Sequence, residues 1–170
     1  MSLREVTNRL VDDQMKTLMI YVSVQQGNTK KVASAMADVL NAQLLEPEEV
    51  DIDTLSEYDL IGLGSGIYWG RFYKILRNFV KKLPTFQNKK VFIFSTIGML
   101  GHEKPPSKSI EKLLIKKGFT IAGKYSCLGF NTFFLSRIIR RLSNKGRPSI
   151  KDLEQAREFA RNLKDKQGVG

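Results

Sequence analysis

Ile20-Tyr-Val-Ser-Val-Gln-Gln-Gly-Asn-Thr29 is the stretch on which the fold turns. Its first residues complete the run Thr17–Val22, which is continuously bulky and mostly apolar. A run of that length reads as a β-strand buried on both faces. Ser23 to Thr29 is a polar turn. Lys30 to Leu40 then places Val32, Ala33, Met36, Ala37 and Leu40 at helical spacing, with Asn28 or Thr29 as the expected N-cap. A buried strand, a tight turn and a helix in immediate succession begin a βαβ unit.

The same alternation continues outward. Ala42–Leu45 reads as a short second strand. Glu46–Asp59 is an acidic connector with seven carboxylates and no basic residue, expected to be a loop with a helical turn. Leu60–Ser65 is a third apolar run, followed by a loop at 66–70 and a helix from about Phe72 to Leu83, ended by Pro84. Val91–Ser95 is the fourth strand and Phe119–Cys127 the fifth. A loop at 96–109 and a helix at 110–117, stopped by Gly118, lie between them. The last helix, Ile150–Leu163, carries Leu153, Ala156, Phe159, Ala160 and Leu163 on one face. Strands alternating with helices imply right-handed crossovers and a parallel sheet covered on both faces. Five strands fit a small doubly wound α/β fold. Its ligands bind beyond the carboxyl ends of the strands.

Length and composition agree. The chain has 170 residues, 42% hydrophobic and 26% charged, which suits one globular domain. The single cysteine permits no internal disulfide. No apolar stretch approaches the ~18 residues of a membrane span. Met1–Lys16 lacks an apolar signal region, so a reducing, cytoplasmic location is expected. The net charge of +11 is divided unevenly. Residues 1–59 hold 5 basic and 11 acidic side chains, net −6; residues 60–170 hold 23 and 6, net +17. A field of that sign attracts acidic proteins, anionic lipids, nucleic acid or anionic cofactors. No nucleic-acid reader motif accompanies it, so nucleic acid is not an expected partner.

The first loop has the chemistry of an anion cradle. The opening N–H groups of a helix lack internal partners, and the helix dipole places partial positive charge there. Ser23, Gln25, Gln26, Gly27, Asn28 and Thr29 are the candidate phosphate ligands. The loop is neither a Walker loop, lacking Gly-Lys-Ser/Thr, nor a G-x-G-x-x-G fingerprint. The second loop, Ser65, Gly66, Ile67, Tyr68, Trp69 and Gly70, sets the only tryptophan beside a tyrosine between glycines, suited to stacking on a flat ligand. The third, Ser95, Thr96, Ile97, Gly98 and Met99, offers hydroxyls and amides to the polar edge of such a ligand. An anion site beside a stacking site describes a phosphorylated aromatic molecule.

Ile20–Thr29, Tyr58-Asp-Leu-Ile-Gly-Leu-Gly-Ser-Gly-Ile-Tyr-Trp-Gly70 and Val91-Phe-Ile-Phe-Ser-Thr96 together resemble the flavodoxin-like FMN proteins. The resemblance spans about residues 17–165. It implies a flavodoxin-like doubly wound five-stranded parallel sheet in the order 2-1-3-4-5, with helices on both faces and noncovalent FMN. It implies that Gly27, Asn28 and Thr29 face the phosphate, and that Tyr68, Trp69, Gly70 and the loop from Ser95 to Met99 border the isoalloxazine. Residues 1–16 are then an N-terminal extension, 17–165 the domain and 166–170 a tail. The chain departs from the family at Val24 and Gln26, where hydroxyl residues are usual, and at Arg71, where an acidic residue is common. Basic surroundings would make the doubly reduced flavin easier to form than in acidic flavodoxins. One unit charge at ~6 Å is worth about 1.4–2.8 kcal/mol at an effective dielectric of ~20–40, or about 60–120 mV.

Asn131–Arg147 places Phe134, Leu135, Ile138, Ile139 and Leu142 at helical spacing, with Arg137, Arg140 and Arg141 on another face. It reads either as a helix packed on the sheet with a solvated arginine face, the commoner arrangement, or as a peripheral membrane or acidic-partner contact through Phe133–Arg141. A basic extra segment also resembles the menaquinone-dependent protoporphyrinogen oxidases, a branch of the same superfamily. His102, beside Glu103, reads as a surface histidine more readily than as a proton relay to flavin or substrate, and Cys127 as a core residue or free thiol without a redox partner. No residues have metal-ligand spacing, and no catalytic side chain is assigned. Three functions follow. The first is an FMN redox protein serving an acidic redox partner or a small acceptor such as a quinone. The second is a quinone-dependent, porphyrinogen-oxidising enzyme near a membrane. The third is a flavin-free binding module on the same fold.

Overall fold

The computed structural model of the protein describes residues 15–24, 26–98, 107–129 and 146–167. Gln25, Met99, His102, Glu103, Phe133–Arg141, nearly all of the N-terminal extension and the end of the C-terminal tail lie outside the described residues.

Among the described residues, six strands and four α-helices follow one another along the chain. In order they are β1 (Thr17–Val22), α1 (Asn28–Leu40), β2 (Gln43–Leu45), β3 (Leu60–Tyr68), β4 (Arg71–Phe72), α2 (Lys74–Lys82), β5 (Lys89–Ile97), α3 (Lys108–Lys116), β6 (Phe119–Leu128) and α4 (Ile150–Gln167). The parallel strands lie in the order β2-β1-β3-β5-β6. Leaving aside the two-residue β4, which pairs antiparallel with the end of β3, this is the expected 2-1-3-4-5 order. Every residue of β1 is buried, as an unbroken apolar run at the centre of a covered sheet must be. The acidic connector forms two 3-10 helices, Pro47–Glu49 and Ile52–Glu57.

Two apolar layers cover the sheet. On one face, Leu76, Phe79 and Val80 of α2 and Ile110 and Leu114 of α3 pack on Leu18, Ile20, Ile61, Leu63, Val91 and Ile93. On the other, Val32, Ala33, Met36 and Leu40 of α1 and Ala156, Ala160 and Leu163 of α4 pack on Met19, Tyr21, Phe92 and Phe94. The glycines of β3 make room for this second layer. Gly62 and Gly64 stand in register with Phe92 and Phe94, and a Cβ on Gly64 would lie 2.1 Å from the Phe94 ring.

Five boundaries described next differ from the sequence reading. β3 continues through Tyr68 and β5 through Ile97, because β3 pairs in register with β5 as far as Ile67–Ile97 and then turns into β4. Phe72 therefore ends a hairpin instead of starting a helix, and α2 begins at Lys74. The cap of α1 is Gly27, at φ +65°, rather than Asn28 or Thr29. α4 runs on past Leu163 to Gln167.

Candidate functional site

The carboxyl ends of β1, β3, β5 and β6 meet around the start of α1. The turn after β1 swings through two left-handed residues, Gln26 (φ +52°) and Gly27 (φ +65°), and enters α1, where the Ser23 Oγ accepts from the Lys30 N–H at 3.3 Å. Asn28 and Thr29 turn their side chains inward, 7% and 2% exposed. The Thr29 hydroxyl shares a 2.9 Å hydrogen bond with that of Thr96 on β5. A helix end of this kind presents main-chain N–H groups, supported by the helix dipole. Ser23–Lys31 contains two lysines and no carboxylate, and nothing lies within 4 Å of where a Gly27 Cβ would stand. The turn is open, positive and lined by amides.

The second group is split. Ser65 is fully buried and structural: its Oγ donates to the Gly66 carbonyl at 2.9 Å and accepts from the Tyr73 N–H at 3.0 Å, tying β3 to the start of α2. The Tyr68 ring lies over Gly66, where a Cβ would come within 2.8 Å of it, and meets Tyr73 edge-to-face at 5.1 Å. Burial, and then Tyr73, push its phenol pKa above the ordinary value. Trp69 and Gly70 form the two-residue turn between β3 and β4, with φ +50° and +71°. Positive φ at both positions fits a type I′ hairpin turn. A tryptophan in the left-handed region costs about 1–2 kcal/mol, yet this one stands 87% exposed at the tip. A strained, exposed aromatic at a hairpin tip is a functional signal.

The third group forms the floor. Ser95, Thr96 and Ile97 are buried strand residues, and the Ser95 hydroxyl bonds that of Ser126 at 3.1 Å. Only Gly98, of the described members, stands beyond the strand end. Gly129 opens the strand-end loop after β6, a loop that the sequence marks for examination without giving it a ligand role. Its N–H donates to the Ile97 carbonyl at 2.9 Å, and a Cβ on it would lie 3.0 Å from Asn28 Nδ2. It joins the loop after β6 to the start of α1. Nearby Cys127 is buried, and burial followed by the Asp152 charge pushes its thiol up to about 12.

These features fit a phosphorylated aromatic cofactor: amides and lysines for the anion, and an exposed indole on the adjacent strand for the rings. The comparisons with known proteins agree. The sequence profile described as "Flavodoxin domain" matches residues 18–127. The chain belongs to the flavodoxin domain family. Among its relatives is an uncharacterized protein of Methanocaldococcus jannaschii, 39% identical over 88% of this chain and 98% of that protein. Another is the protoporphyrinogen IX dehydrogenase [quinone] of Escherichia coli K12, 24% identical over 88% and 94%. Solved flavodoxins share the fold. One from the domain Archaea superposes with a TM-score of 0.64 at 21% identity, over 89% of this chain and 98% of that one. Flavodoxin 2 of Bacillus cereus gives 0.65 at 21%, over 89% and 99%. The match covers every described strand apart from Thr17 at the start of β1 and Leu128 at the end of β6.

Proposed function

We propose that this chain is a redox protein that holds FMN noncovalently and carries electrons or reduces a small acceptor. The observation that carries the proposal is the open amide turn at the start of α1, set on the strand beside the one that ends in the exposed Trp69. The main-chain amides of Gly27, Asn28 and Thr29 and the hydroxyl of Ser23 would hold the phosphate, in place of the hydroxyl side chains usual where Val24 and Gln26 stand. Trp69 would cover the ring system, Gly66, Ile67, Tyr68 and Gly70 would border it, and the amide of Gly98 would face its polar edge. Ser65, Ser95, Thr96 and Thr29 fix these groups through their buried hydrogen bonds. When bound, FMN supplies the electron-accepting chemistry; the protein supplies position and electrostatics. Arg71 in the hairpin and Lys74 just beyond it, both exposed, favour a reduced, anionic cofactor. The electron partner would be an acidic protein or a quinone-like molecule.

A second reading is favoured by one observation, the near full-length match to a quinone-dependent protoporphyrinogen dehydrogenase. Under it, the same site oxidises a porphyrinogen at the expense of a quinone. Purification from flavin-replete cells tests the first claim. The visible flavin bands should accompany the protein, and their absence even after incubation with FMN would leave a flavin-free binding module. Turnover with quinone plus a tetrapyrrole, against turnover with NAD(P)H, separates enzyme from carrier.

A further inference from the structure

We propose that the outer face of α2 and α3 is a docking surface for an anionic lipid bilayer. The two helices touch each other and cover the same side of the sheet. Together they carry seven basic side chains and one carboxylate, net +6, whereas α1 and α4 on the opposite side carry seven basic and five acidic, net +2. The exposed residues of α2 are Lys74, Ile75, Asn78, Lys81 and Lys82; those of α3 are Lys108, Ser109, Lys112, Ile115 and Lys116. Neither stripe contains a carboxylate. The single acid, Glu111, is turned toward β6, where Lys124 Nζ holds both its oxygens at 3.1 and 3.2 Å.

Three features select a lipid surface over a protein partner. Every full charge in the stripes is a lysine, and lysine is depleted from desolvated protein interfaces, where arginine and aromatics dominate. Lysine keeps its hydration and serves well as a point charge above an anionic surface. Two isoleucines, Ile75 at 40% and Ile115 at 59% exposure, project among the lysines. Apolar residues set within a basic helical face are what an interfacial contact uses. The acidic 3-10 turn Pro47–Glu49 touches α2 on the far side from α3. The resulting charge asymmetry would orient the chain, α3 toward the surface and the connector away.

The test is co-sedimentation of the full chain with vesicles of phosphatidylcholine alone, or of equal parts phosphatidylcholine and phosphatidylglycerol. Binding should require the anionic lipid and fade with added salt. Each lysine near such a surface is worth about fivefold in partition, so combining Lys81→Gln, Lys112→Gln and Lys116→Gln should weaken binding on the order of a hundredfold. The set Lys151→Gln, Lys164→Gln and Lys166→Gln on α4 should change it far less, and Ile115→Ser should weaken it without altering its salt dependence. Absence of binding, or binding that ignores the α2–α3 set, overturns the proposal. Tighter lysine-dependent binding to polyglutamate or to a single-stranded oligonucleotide than to the vesicles also overturns it.

Discussion

The hydroxyls of Thr29 and Thr96 lie 2.9 Å apart, buried where the first turn of α1 meets the end of β5. This one bond fastens the anion-binding turn to the sheet. Thr29→Val keeps the shape and leaves the Thr96 hydroxyl buried without that partner. Stranding a buried donor costs about 1–3 kcal/mol. In a domain of this size that corresponds to a fall in Tm of roughly 2–4 °C per kcal/mol. Thr29→Ser should recover most of the loss. Calorimetric melting of the three proteins checks it; an unchanged Tm for Thr29→Val would show that the bond contributes nothing.

Gly64 and Phe94 set the spacing of the second apolar layer. With ring atoms 2.1 Å from the position a Cβ would take, Gly64→Ala must displace a fully buried phenylalanine. Overpacking of this kind costs about 1–3 kcal/mol, sometimes more. Urea unfolding should show a lower midpoint with an unchanged slope. Pairing Gly64→Ala with Phe94→Leu should give less than the sum of the two losses, because the partners are in contact.

How far the sequence revealed this architecture follows from where each signal is local. The buried run Thr17–Val22 and the helical spacing after it are local, and β1 and α1 form there. The tip of the second loop was hidden because a type I′ turn normally asks for Asn or Gly at its first central position, and Trp69 stands there instead. Tertiary pairing with β5 overrides that preference and draws Gly66 and Ile67 into β3, and pairing with β4 adds Tyr68. The inward turn of Thr29 toward Thr96 joins residues far apart in the chain, so no local pattern announces it. Ser149-Ile-Lys-Asp152, by contrast, has the spacing of a capping box and was legible without being read.

That capping box gives a pH dependence. Ser149 donates its N–H to Asp152 Oδ2 at 2.6 Å, the Asp152 N–H donates back to Ser149 Oγ at 3.2 Å, and Arg147 Nη1 reaches both carboxylate oxygens at 2.7–2.8 Å. Burial opposes the charge, but the Ser149 and Arg147 hydrogen bonds outweigh it and hold the Asp152 carboxyl below its ordinary value. A lowered carboxylate pKa stabilises the fold above the unfolded pKa of ~3.9, and that contribution fades as pH falls through the lowered value. Asp152→Asn should therefore cost about 1–2 kcal/mol near neutral pH, and the gap from the parent should close in acid. A gap that persists unchanged in acid would assign the effect to shape instead of charge.

Cys127 should be inert in the folded protein. Its thiol is buried and pushed up to about 12, so the reactive thiolate is scarce near neutral pH. Ellman's reagent should label one thiol per chain only after denaturant is added. Rapid labelling of the native protein would mean that the end of β6 opens readily.

Under the proposed function, main-chain amides at the start of α1 hold the phosphate of FMN. Calorimetric titration of flavin-free protein with FMN and with riboflavin tests it directly. FMN should bind once per chain, and riboflavin, lacking the phosphate, should bind on the order of 10- to 100-fold more weakly, the worth of charge-assisted hydrogen bonds. Equal affinities for the two flavins, or no binding of FMN, would contradict the claim.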